Sequence, residues 1–183
     1  MSIKNYQEII DYWYSDSVKA LWFNSTAEFD EELKKKFEST YLVAANGKLE
    51  QWKNSGLGIL ALVILLDQIP LNIYRGTPMS FKTEALSREM ANIAIENGWN
   101  EGLTGEQKAF LYMPLMHSEN LADQDKAISL FEAAGLEDNA KFAHHHRSIV
   151  ARFGRFPHRN KILGRENTEA EEAYLKSDQA FLG

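Results

Sequence analysis

Apolar residues recur along this chain at helical intervals, and no stretch alternates them as a half-buried strand would. Residues 3–14 place Ile9, Ile10 and Trp13 on one side of a first helix. Ser25 or Thr26 can cap the next, in which Phe29, Leu33, Phe37 and Tyr41 recur every four residues. Glu31, Glu32, Lys34, Lys35 and Lys36 form its solvated face, and Asn46-Gly47 ends it. A short helix carrying Trp52 is expected over 49–53. Leu57 to Ile69 is apolar nearly all round, so it is the helix expected at the centre, closed by Pro70. A loop over 72–78 follows, then a helix over 83–97 stopped by Gly98. Thr104 to Gln107 reads as a capping box opening a helix that Pro114 kinks. Further helices are expected over 121–134, stopped by Gly135, and from a cap at Asp138 to Gly154. In the latter, Phe142, His146, Ile149, Val150 and Phe153 share a face. Arg155 to Gly164 is read as a loop, and Thr168 to Glu171 as the capping box of a last short helix before frayed terminal residues. The pattern predicts an all-α single domain over 1–183, an antiparallel stack of helical hairpins.

Composition narrows the classes. There is no Cys, which excludes disulfides, thiolate metal sites and thiol nucleophiles. The N-terminal residues lack the apolar core of a signal peptide, and the run Leu57 to Leu66 is too short to span a bilayer, so a cytoplasmic location with no membrane partner is expected. A formal net charge of −6 argues against a nucleic-acid partner. That charge is unevenly spread. Residues 139–165 contain no Asp or Glu and carry +7, leaving −13 on the rest, and they hold five of the seven Arg and four of the five His. A local task for positive charge follows.

The candidate chemistry lies in and around that window. Arg155, Arg159 and Arg165 are suited to clamp a carboxylate or phosphate through paired hydrogen bonds, or alternatively to tie a long loop to carboxylates such as Asp67 and Glu119. His117 and Glu119, with His158 or His146, offer acid–base groups; the alternative is hydrogen-bonded structural histidine. Of His144, His145 and His146, only His146 shares the apolar face, and the other two are assigned to the surface. Asp67, Gln68, Asn72 and Arg75 surround the end of the central helix, as a pocket wall or as a loop-locking network. No phosphate-binding glycine loop, nucleophile elbow or nucleotide fingerprint is present, and no metal or other cofactor is expected.

Several segments together resemble one family. They are Leu65-Leu66-Asp67-Gln68-Ile69-Pro70, Asn72-Ile73-Tyr74-Arg75-Gly76-Thr77, Pro114-Leu115-Met116-His117-Ser118-Glu119, Asp123-Gln124, and Arg152 to Asn160 with Gly164-Arg165. These look like the bacterial "domain of unknown function 924" family, from the Trp13 region to Phe181. The resemblance implies a fold similar to the tetratricopeptide-like superfamily, a right-handed helical stack, and it implies no activity. Leu71 stands where the family usually has Arg, and Asn167 where it usually has Ser.

The expectation is that the loops 67–77 and 153–165 meet near His117 and Glu119 in one polar pocket. Its first reading is a site for a small anion or an acidic peptide end, drawing on Asp67, Gln68, Asn72, Arg75, His146, Arg155, Arg159, Asn160 and Arg165. A second is an interaction scaffold whose motifs are structural. A third is a hydrolase or lyase-like enzyme using His117 or His158 with Glu119, so whether the chain is an enzyme stays open.

Overall fold

The computed structural model describes residues 3–183, and all regular structure among them is helical. The chain divides into two compact units: residues up to Arg75 with Met79–Pro114, and Gly76–Pro78 with Leu115–Gly183.

In the first unit, α1 (Tyr6–Trp13) opens on a capping box in which Asn5 accepts from Glu8 N–H and Glu8 accepts from Asn5 N–H. The short α2 (Asp16–Lys19) follows. Thr26 caps α3 (Ala27–Ala45), whose Phe29, Leu33, Phe37 and Tyr41 are all buried as their spacing predicts. A 3₁₀ turn, Glu50–Asn54, buries Trp52. Gly58 lets the next helix approach that turn, since a Cβ there would meet Trp52 O at 2.3 Å.

The central helix departs from the sequence expectation. α4 (Gly56–Val63) does not stop at Pro70; it passes through a π turn, Ile64–Gln68, into α5 (Ile69–Ile73). Pro70 has no N–H for the Leu66 carbonyl, and its ring would press on that carbonyl in a regular helix. The extra residue resolves the conflict: Ile69 N–H bonds to Ile64 O, and the Thr83 hydroxyl donates to Leu66 O at 2.6 Å. Proline therefore reshapes this helix instead of ending it. The resulting stretch Gly56–Ile73 is long and apolar enough to cross a membrane by length and composition, yet 83% of it is buried inside the protein, as a core helix would be. α6 (Glu84–Glu96) completes the sheath around it, and Ser87, Met90, Ala91 and Ala94 are its buried positions.

α7 (Gly105–Met116) starts at the predicted capping box, with Thr104 N–H donating to Gln107 Oε1 and Gln107 N–H to Thr104 Oγ1. Its last turn enters the second unit. There α8 (Leu121–Ala133) and α9 (Glu137–Phe153) pack as a hairpin about Gly135, whose φ of +68° suits glycine. Asp138 lies within the first turn of α9 and is not its cap; that position belongs to Leu136. Phe142 is 61% exposed, so the buried stripe of α9 runs through Ala143, His146, Ile149 and Val150 without it. The segment read as a loop is partly helical: a 3₁₀ turn, Pro157–Arg159, leads into α10 (Asn160–Leu163). α11 (Glu169–Leu175) opens on the expected Thr168–Glu171 capping box. Ile149, Val150, Phe156 and Tyr174 form the unit's core there, with Phe153, Leu175 and Phe181 packed against it. Phe181 is thus docked, its N–H donating to Tyr174 Oη, where sequence reasoning expected a frayed end.

Candidate functional site

The predicted site residues fall into two groups, one per unit. In the first unit, Asp67 and Gln68 lie in the π turn and not at a helix end, and both are buried. Gln68 Nε2 donates to Asp67 Oδ2 at 2.6 Å, and Asn72 Nδ2 donates to Gln68 O at 2.8 Å. Arg75 turns outward to Asp30, with Nε at 2.8 Å from Oδ2, and its Nη2 reaches Ser25 Oγ and Asn72 Oδ1 at 2.5 and 2.9 Å. All of these contacts stay within that unit.

The arginines of the second unit that the sequence singles out, Arg155, Arg159 and Arg165, are likewise engaged at home. Arg155 forks onto Glu171, with Nε to Oε1 at 2.6 Å and Nη2 to Oε2 at 2.8 Å, and Nη2 also reaches Glu166 O. The Glu171 side chain is 2% exposed, and Arg155, followed by the Thr168 N–H and the Asn160 amide, holds its carboxyl down at about 2 against burial. Arg165 forks onto Glu119 and also bonds Phe156 O and Asn160 Oδ1. Glu119 accepts the Phe156 N–H as well, at 2.8 Å. Burial would raise its pKa; the Arg165 and Phe156 bonds prevail and lower it. Arg159 is buried, lies 4.7 Å over the Phe156 ring, and donates to His117 O at 3.0 Å. Asn160, fully buried, donates to Asn167 Oδ1. These bonds tie residues 155–165 to the 117–119 turn and to the start of α11.

The imidazoles are shaped by burial. His146 Nδ1 is 2.8 Å from Phe142 O, and since a carbonyl only accepts, Nδ1 carries the proton. Desolvation, helped by nearby positive groups, lowers its pKa to about 4. Burial first and Arg159 second push His158 down to about 3. Both rings meet aromatic neighbours edge-on or tilted: His146 is 5.5 Å from Phe156 and 4.5 Å from Phe181, and His158 is 5.0 Å from Phe181. Neutral at pH 7 and far from that pH in affinity for a proton, these two imidazoles are poorly matched to general acid work. Both Glu119 oxygens are engaged by Arg165, and its charge reaches His158 only as a minor influence opposing the depression.

A different arginine faces a cleft. On α9 the residues His145, Ser148, Ile149, Arg152 and Phe153, with Tyr174 of α11 and Gln179, line a cavity of about 220 Å³. Arg152 is exposed, makes no hydrogen bond or ion pair among the described residues, and lies 4.8 Å over the Phe153 ring. The other four arginines of the window all have carboxylate or carbonyl partners. The sequence pattern assigns His145 to the surface and gives Arg152 no separate role. The signal was present in the spacing 145, 148, 149, 152, one face of a helix, but it mixes charged, polar and apolar types. The capping-box pattern shows Glu171 as a cap alone, although a capping glutamate keeps oxygen lone pairs for an arginine. No group of three or more His, Asp or Glu among the described residues could hold a metal ion.

Three comparisons bear on this geometry. The family model "Bacterial protein of unknown function (DUF924)" matches residues 9–179. A solved structure of a protein of unknown function from Agrobacterium tumefaciens is similar at 38% identity and a TM-score of 0.88, covering 93% of this chain and 96% of that one. No curated protein is similar to the chain at a comparable level.

Proposed function

The chain belongs to the bacterial DUF924 family, and we propose that it is a binding protein whose α9–α11 cleft takes a small anion or the acidic end of a peptide. One observation carries this reading: Arg152 stands in the cleft with its guanidinium uncommitted. A guanidinium offers five N–H donors in a fixed fork, and here none is met by a described residue. His145 stands beside it as a second nitrogen donor. The guanidinium carbon lies 4.8 Å from the Phe153 ring centre, a cation–π contact that uses none of its N–H donors and leaves them for a carboxylate or phosphate.

In this reading Arg155 and Arg165, expected from sequence to clamp the anion, hold the cleft's foundations instead. Their forks are filled by Glu171 and Glu119. A ligand binding to either arginine would have to displace a carboxylate that already fills the fork. Titration calorimetry with carboxylates and phosphate esters on the wild-type chain and on Arg152→Gln tests the reading. Binding by the wild type that is lost in Arg152→Gln supports it. Binding lost only in Arg75→Gln, with Arg152→Gln unaffected, contradicts it.

A further inference from the structure

The cleft's chemistry narrows the ligand class, on the reading that Arg152 is the anion donor. We infer that the ligand is a monocarboxylate with a short apolar or aromatic body. Three features point there.

The first is charge. Arg152 is the one Lys or Arg side chain lining the cleft, and its planar fork matches the two oxygens of a carboxylate. Inorganic phosphate carries more charge and more acceptor oxygens. Ser148 gives it little help, because its hydroxyl proton is already donated to His145 O at 2.7 Å and it presents lone pairs.

The second is the wall. Ile149, Phe153 and Tyr174 bring apolar surface to the same cleft, and the Phe153 and Tyr174 rings lie 5.1 Å apart, tilted at 47°. A ligand that is only a charged group leaves that surface wet, whereas an alkyl or aryl body covers it. The third is size. A cavity of about 220 Å³ falls below the roughly 300–1,000 Å³ of drug-sized sites, which favours a body of a few carbons over a nucleotide or sugar phosphate.

Binding of acetate, butyrate, hexanoate, benzoate and inorganic phosphate to the full chain at fixed ionic strength tests this inference. Each titration is repeated on Arg152→Gln, whose fold is checked by thermal melting. Affinity is expected to rise about fourfold for each methylene covered. Hexanoate and benzoate are expected to bind at least about tenfold tighter than acetate or phosphate, and to lose that binding in the variant. Phosphate binding as tightly as hexanoate, with Arg152 still required, overturns the monocarboxylate and leaves the anion cleft standing. Absence of binding by all five probes, or hexanoate binding unchanged in Arg152→Gln, overturns both.

Discussion

Arg165 grips Glu119 by two parallel hydrogen bonds, Nη1 to Oε2 at 2.7 Å and Nη2 to Oε1 at 2.9 Å. The pair spans 46 residues of sequence and joins the turn after α7 to the residue that follows the Gly164 cap of α10. Both side chains are about one-quarter exposed, so it is neither a solvated surface pair nor a fully dry one. Glu119→Ala leaves the Arg165 guanidinium and the Phe156 N–H without their acceptor. A loss of about 2 kcal/mol is expected, between the values typical of exposed and buried pairs. Glu119→Gln, which keeps one acceptor oxygen, is expected to lose about half as much. Urea midpoints that fall with unchanged slope measure both; a midpoint unmoved in Glu119→Ala contradicts the lock.

Acid should undo the second unit in two stages. His146 and His158 have folded pKa values of about 4 and about 3, below the ordinary 6.5. Between those limits the unfolded chain binds more protons, so stability declines as pH falls below about 6.5. Glu171 is depressed from 4.5 to about 2 by Arg155, so its contribution is complete above about pH 4.5 and is lost toward about pH 2. Urea midpoints taken from about pH 8 down to about pH 2 should stay level above about 7 and then fall. His158→Gln should flatten the upper part of the decline, and Glu171→Gln the part below 4.5. A midpoint that rises between pH 7 and pH 5 contradicts this assignment.

The Thr83 hydroxyl answers the carbonyl that Pro70 leaves without its usual donor. Thr83→Val keeps the shape and removes the bond, stranding a buried acceptor at a cost of about 1–3 kcal/mol. Thr83→Ser should retain most of the stability. Equal stability of Val and Ser variants in chemical denaturation contradicts the role given to this hydroxyl.

The all-α class was legible because the stripes of Phe29 to Tyr41 and of Leu57 to Ile69 leave no other way to bury so much apolar surface. The caps at Asn46, Thr104 and Thr168 were legible because capping is local chemistry. The course of the central helix was not. Whether Pro70 ends a helix or forces a π turn depends on Thr83, thirteen residues on, and tertiary partners are invisible to periodicity. The Arg-rich segment announced itself by charge, yet its partners Glu119 and Glu171 lie outside it. Counting charges could not say which arginines would be consumed. That accounting is what moves the candidate anion donor from Arg155, Arg159 and Arg165 to Arg152.

Amide chemical-shift mapping during a benzoate titration tests that transfer most directly, because it reports location independently of affinity. Shifts are expected to concentrate at His145, Ser148, Ile149, Arg152, Phe153, Tyr174 and Gln179, and to vanish in Arg152→Gln. Shifts centred instead on Arg155, Arg159 and Arg165, or on Asn72 and Arg75, would contradict the account.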